Sequence, residues 1–212
     1  MGYDYCIIGG GIAGVAAAEA IRERDAAGSI GIISDEPHPL YSRVLLPHFV
    51  KGLIRREKLF LRTHEEYAAK RIDFLTETVA ALDADVRALA LVGGSSIPFG
   101  KLLIASGGRP RNLGIPGEDR PGVSHFQTLA DADAMIPALD GVREAVVLGG
   151  SFIALEYLDI LVRRNIRTTA VFPLERFFGD HLDAAGGEFL HSVFTSRGIT
   201  VVARDAPAAV RG

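Results

Sequence analysis

The chain contains no tryptophan, two methionines and a single cysteine, Cys6. One thiol cannot close an internal disulfide, so no disulfide framework holds this fold, and the composition suits a reducing cytoplasm. No stretch of about 20 apolar residues exists, which excludes a membrane-spanning helix. There is no block of like charge either: 23 basic and 26 acidic residues are mixed along the 212 positions, for a formal net charge of −3. Without a basic patch or stripe, nucleic acid finds no electrostatic footprint. No cluster of cysteine and histidine has metal-ligand spacing, so no metal site is expected. The N-terminus lacks a basic stretch, and its apolar run at residues 5–8 breaks at glycines, so no signal peptide is expected.

What the chain does have is apolar material, 48% of its residues, enough for a sizeable core in one large domain or two small ones. Residues 3–8 read as a short buried strand that stops at Gly9-Gly10-Gly11. Residues 12–24 carry Ala, Ile and Val at helical spacing, and residues 30–33 form a second strand. This is a βαβ unit, right-handed and buried on both faces. Residues 35–61, with Pro37, Pro39 and Pro47, read as a long loop of the functional kind. A short helix is predicted at 64–71 and a third core strand at 72–75. Residues 79–82, 86–92 and 97–99 form a β-meander with a Gly93-Gly94 turn, and residues 101–105 return as a buried strand ending at Ser106-Gly107-Gly108. Residues 109–122, rich in Pro and Gly, are the best boundary candidate, and residues 129–139 predict a helix. The opening pattern then recurs as strand 145–148, turn Gly149-Gly150-Ser151, helix 152–164 and strand 168–172, followed by helix 182–197 and strand 199–203. Three parallel strands are few for a second nucleotide domain, so the sequence reads as truncated.

The first turn is Gly9-x-Gly11-x-x-Gly14, placed between strand and helix. Gly9 allows the tight turn, Gly11 lets backbone approach a pyrophosphate, and Gly14 lets the helix pack on the strand. Ile12 and Ala13 open the helix, whose N-terminus presents unpaired N–H groups and the positive dipole end to phosphates. A ribose-binding acid belongs at the end of the second strand; Ser34 stands there, with Asp35 and Glu36 next, and the register leaves the choice between the two open. The second turn, Gly149-Gly150-Ser151-Phe152-Ile153-Ala154, is a degraded copy in which the Ser151 Cβ stands where a pyrophosphate approaches. Its second strand closes on Val171-Phe172-Pro173 with no acid or arginine, and Glu175 and Arg176 come slightly later. NADH and NADPH are not distinguished at this level.

Four stretches together resemble the two-dinucleotide-binding flavoproteins, the family of pyridine nucleotide-disulfide oxidoreductases and of ferredoxin, rubredoxin and nitrite reductases. They are residues 7–14, residues 34–47 with Tyr41, Arg43 and Leu46 similar to a "YxRxxL" loop, residues 102–111 similar to "LLIATGxxPR", and residues 146–156. The resemblance covers essentially the whole chain. It implies FAD and NAD(P)H as cofactors. It places the FAD pyrophosphate at Gly9, Gly11 and Gly14, the adenosine ribose at Asp35 or Glu36, Arg43 near the flavin diphosphate, Val79 against the adenine, Ala105 and Ser106 beside the FAD, and Arg111 near it. Glu156 would lie near the nicotinamide–flavin contact and is the one weak catalytic candidate.

The departures from the family also bear on function. The C-x4-C pair of the disulfide reductases is absent, Cys6 lies inside the first strand, and Val44 stands where single-cysteine relatives carry their thiol, so a thiol mechanism lacks its nucleophile. His48 replaces a lysine that ferredoxin-reductase-like relatives place near the flavin. The family's second FAD segment and C-terminal interface domain do not follow, which would leave part of the flavin site open.

The resulting expectation is an α/β chain with an FAD-binding Rossmann domain and β-meander at 1–112, a linker and helix at 113–140, and a partial NAD(P)-binding Rossmann domain at 141–212. The expected activity is hydride transfer from NAD(P)H to the flavin, then electron transfer to an acceptor outside this chain, of rubredoxin, ferredoxin or nitrite-reductase type. The alternative is a dinucleotide-binding module without turnover of its own. The oligomeric state is left open, with a dimer as one option.

Overall fold

The computed structural model describes residues 2–211. In chain order the elements are β1 (Tyr3–Ile8), α1 (Ile12–Arg24), β2 (Ile30–Ser34), α2 (Leu46–Val50), α3 (His64–Ala69), β3 (Ile72–Thr76), β4 (Val79–Asp83), β5 (Ala88–Leu91), β6 (Ser96–Ile104), α4 (Leu129–Ala138), β7 (Glu144–Leu148), α5 (Phe152–Arg163), β8 (Arg167–Phe172), α6 (Ala184–Ser196) and β9 (Thr200–Ala203). The predicted 35–61 loop is not structureless: it holds 3-10 turns at Arg43–Leu45 and Arg56–Leu59 and the short helix α2. Pro47 starts that helix rather than breaking it, because the first turn needs no proline N–H. Among the described residues no helix is long and apolar enough to cross a membrane.

Contacts divide the chain into two compact units, one built from residues up to Ser42 with Arg56–Arg109, the other from Arg43–Arg55 with Pro110 onward. In the first, a six-stranded sheet runs β3-β2-β1-β6-β5-β4. β3, β2, β1 and β6 are parallel, while β6, β5 and β4 are antiparallel. The expected meander strand at 97–99 and the expected returning strand at 101–105 are therefore a single strand. Ser96–Pro98 pairs with β5, and Phe99–Ile104 continues along β1. Gly100 permits the close approach, since a Cβ there would lie 2.8 Å from the Asp4 carbonyl oxygen. The returning part is also not buried as expected: Leu103 and Ile104 are 39% and 60% exposed.

The core of this unit is a row of β-branched strand residues under α1: Ile7, Ile30, Ile32 and Ile72, closed by Val15, Ala18 and Tyr67. Each fully buried isoleucine contributes about 2 kcal/mol of transfer free energy. Small residues on α1, the buried Gly14 and Ala18 among them, let it lie close to the strands and to the Gly9 turn.

The second unit carries a three-stranded parallel sheet, β7-β8-β9. α5 and α6 are its crossovers, and Leu158, Leu161, Ala170, Phe172, Phe177 and Phe194 fill the core between helices and sheet. α2 and α4 pack together in the same unit, and α2 also packs on α5.

Candidate functional site

Helices α3, α4 and α6 are each closed at the N-terminus by a side chain: Thr63, Thr128 and Asp183 accept from the third helical N–H. The two helices that follow glycine turns are not. Gly11 caps α1 and Ser151 caps α5, and neither offers a side-chain hydrogen bond. Their first-turn N–H groups are left for another acceptor, which is the arrangement that binds phosphate.

In the first unit, Gly9 has φ +114°, a conformation that L side chains rarely adopt. Its N–H donates to Ile33 O at 2.7 Å, and a side chain on it would collide with the Ala105 carbonyl. Gly14 is buried, and a Cβ there would run into the Gly9 carbonyl oxygen. Gly11 differs from both. A Cβ built on it meets nothing within 4 Å, so the glycine keeps an open cradle in front of the helix rather than relieving a clash. Ile12 and Ala13, the residues lining that cradle's helical side, are exposed. An FAD pyrophosphate fits this donor set.

Ser34 ends β2 buried, and its hydroxyl accepts from Glu36 N–H at 3.2 Å. Asp35 is exposed and pairs with Arg109 at 3.3 Å, while Glu36 accepts from Tyr41 Oη at 2.6 Å. Both carboxylates are thus at the strand end, and each is already oriented by a protein partner. Ala105 N–H donates to Ile8 O at 2.8 Å, which brings residues 105 and 106 against the Gly9 turn. Val79 lies at the start of β4, half-buried, and Arg111 is exposed.

In the second unit, Gly149 repeats the Gly9 conformation at φ +125°, and its N–H donates to Val171 O at 2.9 Å. Gly150 packs against Phe172, and its carbonyl accepts from Phe178 N–H at 2.9 Å. Ser151, Phe152 and Ile153 are exposed at the mouth of the turn. The Phe152 ring lies 4.7 Å from that of Phe178. Arg43 donates to Gln127 O at 2.6 Å.

Glu156 is held in an ion pair, its side chain still partly exposed: Lys51 Nζ binds it at 2.8 Å and binds Asp159 at 2.6 Å. Burial alone would lower the Lys51 pKa, but its hydrogen bonds to Asp159 and Glu156 outweigh this and hold it above the ordinary value. Sequence reasoning missed Lys51, because nothing local links positions 105 apart. It also passed over the two capping boxes at Thr63–Glu66 and Thr128–Asp131, whose spacing was readable. Cys6 is buried in β1, which pushes its thiol up to about 11. Val44 is 82% exposed and His48 is exposed. Among the described residues no group of three His, Cys, Asp or Glu could hold a metal ion.

Comparison with known proteins agrees with this geometry. The chain is 31% identical over 195 residues to the epsilon subunit of the NADH-dependent phenylglyoxylate dehydrogenase of Aromatoleum evansii, covering 92% of this chain and 46% of that protein. It is 31% identical over 207 residues to a ferredoxin–NAD(P)+ reductase of a Sphingomonas species, covering 94% and 49%. The chain thus spans about half the length of these curated relatives. The fold matches the ferredoxin reductase of the CYP199A2 system of Rhodopseudomonas palustris with TM-score 0.92 at 24% identity, over 99% of this chain and 52% of the other. The model of the pyridine nucleotide-disulphide oxidoreductases matches residues 3–212. With both glycine turns and the parallel sheets of that fold in place, the chain belongs to the pyridine nucleotide-disulphide oxidoreductases, a family of oxidoreductases that use FAD and NAD(P)H.

Proposed function

We propose that the chain is the dinucleotide-binding part of an FAD-dependent NAD(P)H oxidoreductase that passes electrons to a small redox protein. When bound, FAD supplies the hydride-accepting and one-electron chemistry, and NAD(P)H is the hydride donor. The observation that carries the reading is the pair of uncapped helix N-termini, each behind a glycine turn of the same hydrogen-bonded form. The first, in the proposed FAD domain at 1–112, holds the pyrophosphate on Gly9 to Gly14 and the ribose through Asp35 or Glu36. The second, in the proposed NAD(P)H domain at 141–212, uses Gly149, Gly150, Ser151, Phe152 and Ile153. Arg43, Val79, Ala105, Ser106 and Arg111 complete the proposed FAD contacts, and Glu156 orients at the nicotinamide end. No side chain acts as nucleophile, in keeping with Cys6 being buried. A small redox protein as acceptor is supported by the ferredoxin reductase among the relatives and by the similarity to putidaredoxin reductase solved with putidaredoxin. A cytoplasmic location accords with the lone thiol.

A binding module without turnover is the second reading, favoured by the Cβ of Ser151 at the second turn. The two are separated by an absorption spectrum after FAD incubation and desalting, followed by anaerobic NADH and NADPH. A retained flavin band that bleaches supports the oxidoreductase. Retained flavin that neither nucleotide bleaches supports the module, and loss of the flavin band removes the FAD assignment from this chain.

A further inference from the structure

The two glycine turns share one plan, so their ribose ends can be compared position by position. Gly9 N–H donates to Ile33 O and Gly149 N–H to Val171 O, which equates Ser34 with Phe172. A Cβ on Gly10 would lie 3.1 Å from the Ser34 Cβ, and one on Gly150 would lie 3.2 Å from the Phe172 Cβ. On the next strand Ser34 pairs with Thr76 and Phe172 with Ala203, so Glu77 is matched by Arg204.

The chemistry at these matched positions is inverted. The first unit presents Ser34, Asp35, Glu36 and Glu77, and the second presents Phe172, Pro173, Leu174 and Arg204. Phe172 is 2% exposed, its ring packed edge-on against Phe177 at 5.5 Å. Pro173 has no N–H. A ribose 2′,3′-diol is recognised by a carboxylate at this strand end, whereas a 2′-phosphate is accommodated by an arginine. Two carboxylates lie nearby and both are engaged. Asp205 accepts from Ala206 N–H at 2.8 Å, and Glu175 binds Arg204 at 2.6 Å and Arg176 at 3.3 Å. The Arg176 side chain is 32% exposed and lies along Gly187 of α6, so it anchors Glu175 from the protein side. Arg204 is 70% exposed, and its N–H donates to Leu174 O at 3.0 Å, which ties it to the loop after β8.

We propose that Arg204 is the specificity residue of the second dinucleotide site and that this site takes a 2′-phosphorylated adenosine, NADPH in preference to NADH. A guanidinium–phosphate pair is bidentate and charge-assisted, and it replaces the Glu175 contact on the same side chain. The proposal rests on the reading of this unit as a nicotinamide-dinucleotide site.

The test is calorimetric titration of the chain with 2′,5′-ADP and with 5′-AMP, FAD being present in excess so that the first site is filled. The expected result is that 2′,5′-ADP binds at least about tenfold more tightly, as one charge-assisted contact allows. Arg204→Gln abolishes that advantage, and Glu175→Gln, which removes the competing carboxylate, widens it. Equal or tighter binding of 5′-AMP, or an advantage that survives Arg204→Gln, overturns the proposal and leaves the dinucleotide reading standing. Failure of both nucleotides to bind overturns the two together.

Discussion

Lys51 Nζ lies 2.8 Å from one carboxylate, Glu156, and 2.6 Å from a second, Asp159, with the lysine side chain only 6% exposed. The two acids stand three residues apart on one face of α5, where they repel each other without the cation. Lys51→Met keeps the apolar stem and removes the charge. It should lower stability by about 1–3 kcal/mol, less than for a fully buried pair because both acids are partly solvated. Urea unfolding measures this, and an unchanged midpoint would show that the network is not structural.

Gly11 and Gly14 should fail in different ways. Gly11→Ala adds a methyl to open space, so the FAD-free chain should unfold within about 1 kcal/mol of wild type. Its FAD affinity, measured by fluorescence titration, should fall at least about tenfold, because the methyl occupies the pyrophosphate approach. Gly14→Ala forces a methyl onto the Gly9 carbonyl and should cost about 2–3 kcal/mol even without flavin. Equal effects of the two variants on the flavin-free chain would contradict this division of roles.

Glu19 accepts from Arg62 at 2.9 Å and from Lys70 at 2.5 Å. Those hydrogen bonds, Arg62 first, hold its pKa at about 2 against an ordinary 4.5. Because the folded value is depressed, the stabilisation is fully present above the unfolded pKa and is lost as pH falls from about 4.5 toward 2. Glu19→Gln should cost about 1 kcal/mol at pH 7, since both partners are partly exposed. It should also flatten the acid limb of the stability curve, so that the two proteins converge near the bottom of that window. Parallel curves across the acid range would sink this assignment.

Cys6 should be silent in the native chain. Burial raises its thiol to about 11, so little thiolate exists at pH 8. An aromatic disulfide reagent should label no thiol under native conditions and one equivalent in urea. Rapid native labelling would reopen a thiol-dependent route.

Elements with a local signature were legible in the sequence. The Gly9 and Gly149 turns declare themselves through apolar runs on one side and helical spacing on the other, and both formed where expected. β6, which contains Pro98, was not legible as one strand, since Gly100 fell between the two expected strands at 97–99 and 101–105. In the sheet the proline pairs at the antiparallel end, and the glycine lets the strand pass close to Asp4. Charge networks were the least legible part. Asp35 with Arg109, Lys51 with Glu156, and Glu175 with Arg204 are set by folding the chain back over 29 to 105 positions, and no spacing rule announces them.

The assignment of residues 43–55 to the unit completed by residues 110 onward has a consequence for biosynthesis. Leu46 and Val50 are almost fully buried, and α2 packs on α4 and α5. About 80 residues separate α2 from α4, so at ribosomal speed these apolar side chains leave the tunnel roughly 4–16 s before α4 exists to cover them. During that interval the nascent chain carries these apolar side chains uncovered, and the core of the first unit is itself incomplete until Tyr67 and Ile72 have emerged. This window is where a holding chaperone would act, and slower translation between codons 50 and 129 should reduce soluble yield more than slowing elsewhere.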